Sequence, residues 1–290
     1  MNKRMKVMKQ YEVLQWASLF LKKHQREERV AEILLEHFLQ VSSSAFYMNM
    51  QEPVSEEVLE KYKRAIQQHA EMGIPVQHIM GYASFYGRKY KVNKHVLIPR
   101  PETEELVHYV IQTVKKQFEN QALTIVDIGT GSGVIAITLA LELKNVNVYA
   151  TDISKFALTV ARENAKKHQA SVQFLMGDFL EPVHKNDIQA DIIVSNPPYI
   201  AQTEASLLTD TVKNFDPKLA LFAKNEGLAA YQQIINQTKE MPTPPSFIAF
   251  EIGHRQAAAV SKLVHQAYPN GDLQVLKDIN RKDRIVAVKI

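Results

Sequence analysis

The sequence predicts an α/β fold: a doubly wound, mainly parallel sheet of seven strands with an antiparallel C-terminal strand, preceded by a small helical bundle. Three observations carry this. Residues 1–74 place apolar side chains at helical spacing and show almost no strand signal. From about residue 105 onward, short apolar runs rich in β-branched residues alternate with helical stretches. The last two such runs, 273–276 and 285–289, are joined by the charged loop 277–284 with no helix between them, which implies an antiparallel final hairpin.

In the N-terminal part, Val13, Leu14, Trp16, Ala17, Phe20 and Leu21 mark one amphipathic helix, and Val30, Ile33, Leu34, Phe38 and Leu39 a second. Ser55 reads as the N-cap of a third, with Glu56 and Glu57 in its first turn, where they suit the helix dipole. Ser42, Ser43 and Ser44 lack the G-x-S-x-G pattern of a nucleophile elbow and read as a helix end or turn. Met5, Met8, Met48, Met50 and Met72 are expected to fill gaps in the bundle core. Residues 75–104 form a linker. There, 86–92 alternates, Asn93-Lys94 turns and 95–98 extends, so a β-hairpin is expected, after which Pro101 or Glu102 opens a helix. Residues 105–290 form the main domain. Its parallel strands are expected at 124–128, 146–151, 172–176, 191–195 and 247–252, and its helices at 133–143, 155–168, 227–239 and 256–267.

Bulk composition narrows the function. With 290 residues, 46% apolar and 23% charged, the chain suits a globular protein of two domains. No stretch approaches the roughly 18 consecutive apolar residues of a membrane helix. The basic start, residues 1–10, runs into an amphipathic helix rather than a signal peptide. Cysteine is absent, which excludes disulfides and thiolate chemistry and fits the cytoplasm. Residues 1–100 carry 16 Lys and Arg against 10 Asp and Glu, and the remainder 19 against 21. The basic surplus thus sits at the N-terminal end, where it suits either an acidic partner or an ordinary solvated helical surface. The ten histidines lack metal-ligand spacing, and no metal is expected.

Two motifs carry chemistry. Asp127-Ile128-Gly129-Thr130-Gly131-Ser132-Gly133 follows a strand and opens a helix, so its backbone can approach a ligand closely. Val134 occupies the third-glycine slot of G-x-G-x-x-G, which weakens a dinucleotide reading, and no P-loop lysine is present. Asp152, 23 positions after Gly129, ends the second strand and is placed to accept from ribose hydroxyls. Asp178 and Phe179 end the third, where they suit an adenine amino group and its ring. Three consecutive strand ends carrying such residues point to a nucleoside-bearing ligand. The second motif is Asn196-Pro197-Pro198-Tyr199, at the end of the next strand. The prolines have no N–H, so this backbone presents carbonyl oxygens beside the Asn side-chain acceptor. A planar group bearing –NH2 would satisfy both acceptors, with Tyr199 on its face. Alone, the tetrapeptide reads equally as a proline-rich turn capped by Asn.

Together, these motifs resemble class I S-adenosylmethionine-dependent methyltransferases that act on nitrogen. More narrowly, Pro75-Val76-Gln77-His78-Ile79-Met80-Gly81, Phe85-Tyr86-Gly87, 97–104, 215–221, Gly227-Leu228, Glu251-Ile252-Gly253, and Asp278 with Arg284-Ile285-Val286 resemble the PrmC/HemK family of peptide chain release factor N5-glutamine methyltransferases. Asp216 stands where that family more often has Glu. The resemblance implies a methyl transfer from S-adenosyl-L-methionine to the glutamine side-chain amide of a Gly-Gly-Gln motif. It implies Asn196, Pro197, Pro198 and Tyr199 at the substrate. It places Gly129, Thr130, Gly131, Ser132, Gly133, Asp152, Asp178, Phe179 and Asn196, with Asp127 as a further candidate, at the cofactor. Release factors are the expected partners, with no direct nucleic acid, no membrane and a monomeric state. The alternatives are an adenine-N6 methyltransferase acting on DNA or RNA, a ribosomal-protein glutamine methyltransferase, and a binding module without catalysis.

Overall fold

A computed structural model describes residues 8–119 and 121–290, so the expected roles of residues 1–7, Met5 among them, lie outside the described residues. The chain divides into two compact units, Met1–Gly81 and Tyr82–Ile290.

The first unit is helical: Gln10–Lys23, Arg29–Leu39, Ser43–Met48, Glu56–Met72 and the short Val76–Met80. Ala17, Leu21, Leu34, Leu35, Phe46, Tyr62 and Ile66 are fully buried in one cluster. The Tyr62 hydroxyl reaches the core only by donating to the Ala31 carbonyl at 2.9 Å, which satisfies it there. Ser55 caps its helix as expected, accepting from Val58 N, and Ser42 does the same for Ser43–Met48 through Ala45 N. The methionine expectation holds in part. Met8 and Met50 pack against the core, but Met48 and Met72, at 79% and 62% exposure, sit at helix C-termini on the solvent side.

The second unit opens with the hairpin β1 (Tyr82–Phe85) and β2 (Arg88–Lys91). Its turn differs from the one expected. The chain reverses at Tyr86-Gly87, both at positive φ (48° and 74°), which is the two-residue geometry that matches strand twist. Asn93 does turn the chain, but its side chain accepts from His95 N at 2.9 Å, and 95–98 forms no strand. Val92, Val96 and Ile98 instead bury against Ala157 and Val160.

The main sheet comprises β3 (Leu123–Ile128), β4 (Val146–Asp152), β5 (Val172–Met176), β6 (Ile192–Ser195), β9 (Phe247–Glu251), β10 (Asp272–Lys277) and β11 (Asp283–Lys289). A two-stranded pair, β7 (Ile200–Ala201) and β8 (Phe222–Ala223), lies outside it. The sheet order is β10-β11-β9-β6-β3-β4-β5, with β11 antiparallel to both neighbours and the other pairings parallel. Side-chain alternation splits the core. Ile125, Ile192, Ala249 and Ala287 face the helices Pro101–Gln117 and Val134–Glu142; Val126, Ile193, Ile248 and Val286 face Ala229–Lys239 and Ala257–Ala267. Both faces are covered, so the central strands are continuous apolar runs, as a parallel sheet requires. The register pairs Ile128 with both Thr151 and Ser195, and Ser195 with Phe250. The strand ends therefore fall in one line, and Gly129, Asp152, Asn196 and Glu251 emerge along one rim. Among the described residues no helix is long and apolar enough to cross a membrane.

Candidate active site

The glycine loop is held from beneath by Asp127, which is fully buried. Its Oδ2 accepts from Thr130 Oγ1 at 2.5 Å and from Ala136 N at 3.1 Å, so one oxygen closes the loop onto the helix that follows it. Among the described residues Asp127 Oδ1 has no hydrogen-bond partner. Burial raises the Asp127 pKa to about 7, against the lowering effect of those two bonds. Gly129 and Gly131 stand at φ 70° and 55°, and a Cβ at either would meet nothing within 4 Å, which leaves a bare backbone cradle. Asp152 braces the same loop, its Oδ2 accepting from Gly131 N at 2.9 Å and its Oδ1 from Ser154 N at 2.8 Å. Burial raises its pKa too, against those two amide bonds.

The tetrapeptide at the end of β6 is fixed from three sides. Asn196 Nδ2 donates to Thr103 Oγ1 at 3.1 Å, and Thr103 Oγ1 donates to Glu251 Oε2 at 2.6 Å. Gln256 Nε2 donates to the Tyr199 carbonyl at 2.9 Å, while Gln256 Oε1 accepts from Gly253 N. Gly227, at φ 84°, lies so close that a Cβ there would fall 2.1 Å from the Tyr199 carbonyl oxygen. Tyr199 packs into the core cluster with Tyr231 and Ile252 rather than lying open as a stacking face, and burial raises its pKa. The Tyr231 hydroxyl donates to the Glu251 main-chain carbonyl at 2.8 Å.

Between the two motifs runs a cleft lined by His95, Val96, Leu97, Gly129, Gly131, Asp152, Asp178, Phe179, Asn196 and Pro198, and also by Pro217, Leu219 and Ala220. It contains six of the predicted cofactor positions. Thr130, Ser132 and Gly133 instead build the loop. Ser132 O accepts from Asn164 Nδ2, and Gly133 packs 3.1 Å, measured from an added Cβ, from the Ala161 Cβ. Asp178 Oδ2 accepts from Gln233 Nε2 at 2.7 Å, and Phe179 sits at φ 47°, a strained value for a non-glycine residue. Arg100 pairs with the nearly buried Asp216 at 2.6 Å and so ties the chain before the helix Pro101–Gln117 to the segment that lines the cleft at Pro217. Burial nonetheless raises the Asp216 pKa, against the pull of Arg100. Thr103, Glu251, Gln256 and the contact at Gly227 were not identifiable from the sequence as site supports. Thr103, Glu251-Ile252-Gly253 and Gly227 stand out there only as family-like residues.

A bare glycine cradle beside a carboxylate at the next strand end fits a nucleoside-bearing ligand, and the acceptor pair at Asn196 fits an amine or amide beside it. Sheet order and cradle together define a class I methyltransferase domain, of the S-adenosylmethionine-dependent kind. The human Mettl16 catalytic domain, solved with an RNA hairpin, shares this fold at TM-score 0.56 and 15% identity, covering 81% of each chain. Residues 12–81 match the PrmC N-terminal domain and residues 107–219 the methyltransferase small domain. A release factor glutamine methyltransferase of Bacillus subtilis is 45% identical over 97% of each chain, and one of Bacillus cereus 44% identical over 96% of this chain and 98% of its own. The chain belongs to the release factor glutamine methyltransferase family.

Proposed function

We propose that this protein transfers a methyl group from S-adenosyl-L-methionine to the side-chain amide nitrogen, N5, of the glutamine in the Gly-Gly-Gln motif of peptide chain release factors. The observation that carries the reading is the Asn196 amide. Its Nδ2 is tied back to Thr103, which leaves Oδ1 as an acceptor beside the glycine cradle. S-adenosylmethionine supplies, when bound, an electrophilic methyl group on a sulfonium. Gly129, Gly131, Asp152, Asp178 and Phe179 would hold its nucleoside end. Asn196 Oδ1 and the Pro197 carbonyl would accept the two N–H hydrogens of the glutamine amide and aim its nitrogen. An amide nitrogen is a poor nucleophile because its lone pair is delocalised, so alignment supplies much of the effect, roughly 7–11 kcal/mol in favourable cases. The same two acceptors stabilise positive charge as it develops on nitrogen. One N–H proton then passes to water, which needs no strong base in the protein. A glutamate side chain would place carboxylate oxygens against these acceptors and be rejected.

In this reading the helical N-terminal unit docks the release factor, while most of the basic surplus of residues 1–100 lies beyond it, at Arg88, Lys89, Lys91, Lys94 and Arg100. The protein works as a cytoplasmic monomer with no nucleic acid at its site. Mass spectrometry of release factor incubated with the protein and S-adenosylmethionine should show the gain of one methylene on the Gly-Gly-Gln peptide. Label appearing in nucleic acid alone would sink the reading. Removal of residues 1–74 should raise KM for release factor far more than it weakens cofactor binding, and equal KM values would refute the docking role.

A further inference from the structure

Asn196 can serve as an acceptor only if its amide faces one way. A primary amide is nearly symmetric in shape, so packing alone does not choose between Oδ1 and Nδ2 toward the cleft. Hydrogen bonding must choose, and the neighbour that decides is Thr103. A hydroxyl has one proton. Given to one partner, it leaves only lone pairs for the other. At 2.6 Å, Thr103 Oγ1 meets Glu251 Oε2, and an ionised carboxylate only accepts. The hydroxyl proton is therefore committed to Glu251. Thr103 can only accept from Asn196, so Asn196 turns Nδ2 inward, at 3.1 Å, and Oδ1 outward. We infer that Glu251, acting through Thr103, is the positioning residue that sets which end of the Asn196 amide meets the substrate. This rests on the reading that the substrate is a side-chain amide.

Reversal of the polarity follows if Glu251 takes up a proton. The carboxylic acid then donates to Thr103, the Thr103 proton turns to Asn196, and Asn196 must offer Oδ1 inward and Nδ2 to the cleft. The Asn196 amide would then turn its donors toward a substrate N–H, only the Pro197 carbonyl would be left to accept, and the methyl acceptor would be misaimed. The surroundings place this switch in an accessible range. Glu251 is buried at the end of β9. Thr103 and Glu102 approach it from the helix Pro101–Gln117, Tyr199 Oη from the tetrapeptide loop at 3.5 Å, and Arg284 from β11, itself paired with Asp278 at 3.2 Å. The Tyr231 hydroxyl donates to the Glu251 main-chain carbonyl, and burial raises the Tyr231 pKa, with the Glu251 charge adding to the rise. Burial is the largest influence and raises the pKa to about 7, with Glu102 adding to the rise and Thr103, Arg284 and Tyr199 opposing it.

The test is the pH dependence of kcat on release factor at saturating S-adenosylmethionine. Neither a glutamine amide nor a sulfonium titrates near neutrality, so wild-type kcat should climb with pH through the Glu251 transition. Glu251→Gln removes the titrating group, and Thr103→Val removes the hydroxyl relay. Thr103→Val should lower kcat about 10²-fold, as misaimed reacting groups do; Glu251→Gln, whose Oε1 can still accept from Thr103, should lower it less, and both should flatten the pH climb. Cofactor affinity, read by calorimetry, should stay near wild type. Thr103→Ser restores the hydroxyl and should restore both rate and climb. Unchanged kcat in the two variants would overturn the inference, as would a rate loss that keeps the wild-type climb, since that marks a merely structural role. Wild-type protein that methylates no release factor would instead overturn the underlying reading, and the inference with it.

Discussion

Asp127 and Glu251 are both carboxylates buried at the rim of one sheet, and burial raises each to a pKa of about 7. They serve the two halves of the cleft in different ways. Asp127 holds the glycine loop through bonds to Thr130 and Ala136 N, three and nine residues away, so its half is assembled locally. Glu251 reaches Thr103 across 148 residues of sequence and, through it, Asn196 across a further 93. Local assembly makes a cradle that forms with its own strand and helix. Long-range assembly makes a clamp that is complete only when the whole sheet is built. The contrast predicts that damage near Asp127 shows first in stability and cofactor binding, and damage near Glu251 first in turnover.

The strongest test of this contrast is Asn196→Ala. Turnover should fall about 10²–10³-fold, the usual loss of a transition-state partner, while calorimetry finds cofactor affinity near wild type. A large loss of cofactor affinity would place Asn196 in the wrong half. The second test uses pH. Both carboxylates have folded pKa values raised above the ordinary ones of 3.8 and 4.5. The folded state therefore binds more protons than the unfolded state between about pH 4 and pH 7. Stability contributed by each group is full below that window and is lost as pH rises through it. For Asp127 the loss is about 4 kcal/mol by linkage, and denaturant titrations of Asp127→Asn should show a flatter decline than wild type. A wild-type protein that gains stability over this range would break the comparison on both sides. Third, Gly227→Ala should displace the Tyr199 carbonyl and lower kcat by about 10²-fold with modest change in cofactor affinity. Smallest, Gly133→Ala puts a Cβ 2.9 Å from Ile137 Cδ1 at φ 84°. It should cost about 1–3 kcal/mol in denaturant unfolding and leave kcat of the folded fraction unchanged.

The same local and long-range division decides what the sequence reveals. The glycine loop, Asp152 and the sheet strands are legible because their signals are contiguous: buried apolar runs followed by residues that line the cleft. Thr103 shows only as part of the family-like stretch 97–104, because a threonine in the first turn of a helix carries no mark of a partner 148 positions away. Gly227 looks like a helix start until the Tyr199 carbonyl is seen against it. The hairpin turn was misplaced because Asn93-Lys94 is a good turn pair and Tyr86 an unusual residue for positive φ. The supports of the clamp are thus legible only in three dimensions, while the cradle is legible in one.

The placement of β6 also bears on time. Ile192–Ser195 is buried throughout and flanked by β3 on one side and β9 on the other. Its amides have no route to solvent short of opening the sheet itself. Segment 202–221, which lines the cleft at Pro217, Leu219 and Ala220, consists of short single turns with few buried residues. Native-state hydrogen exchange should therefore find the slowest and some of the fastest amides of the domain within about 15 residues of one another. The clamp hangs from the slow side. Local opening of segment 202–221 should therefore leave the Asn196 clamp in place.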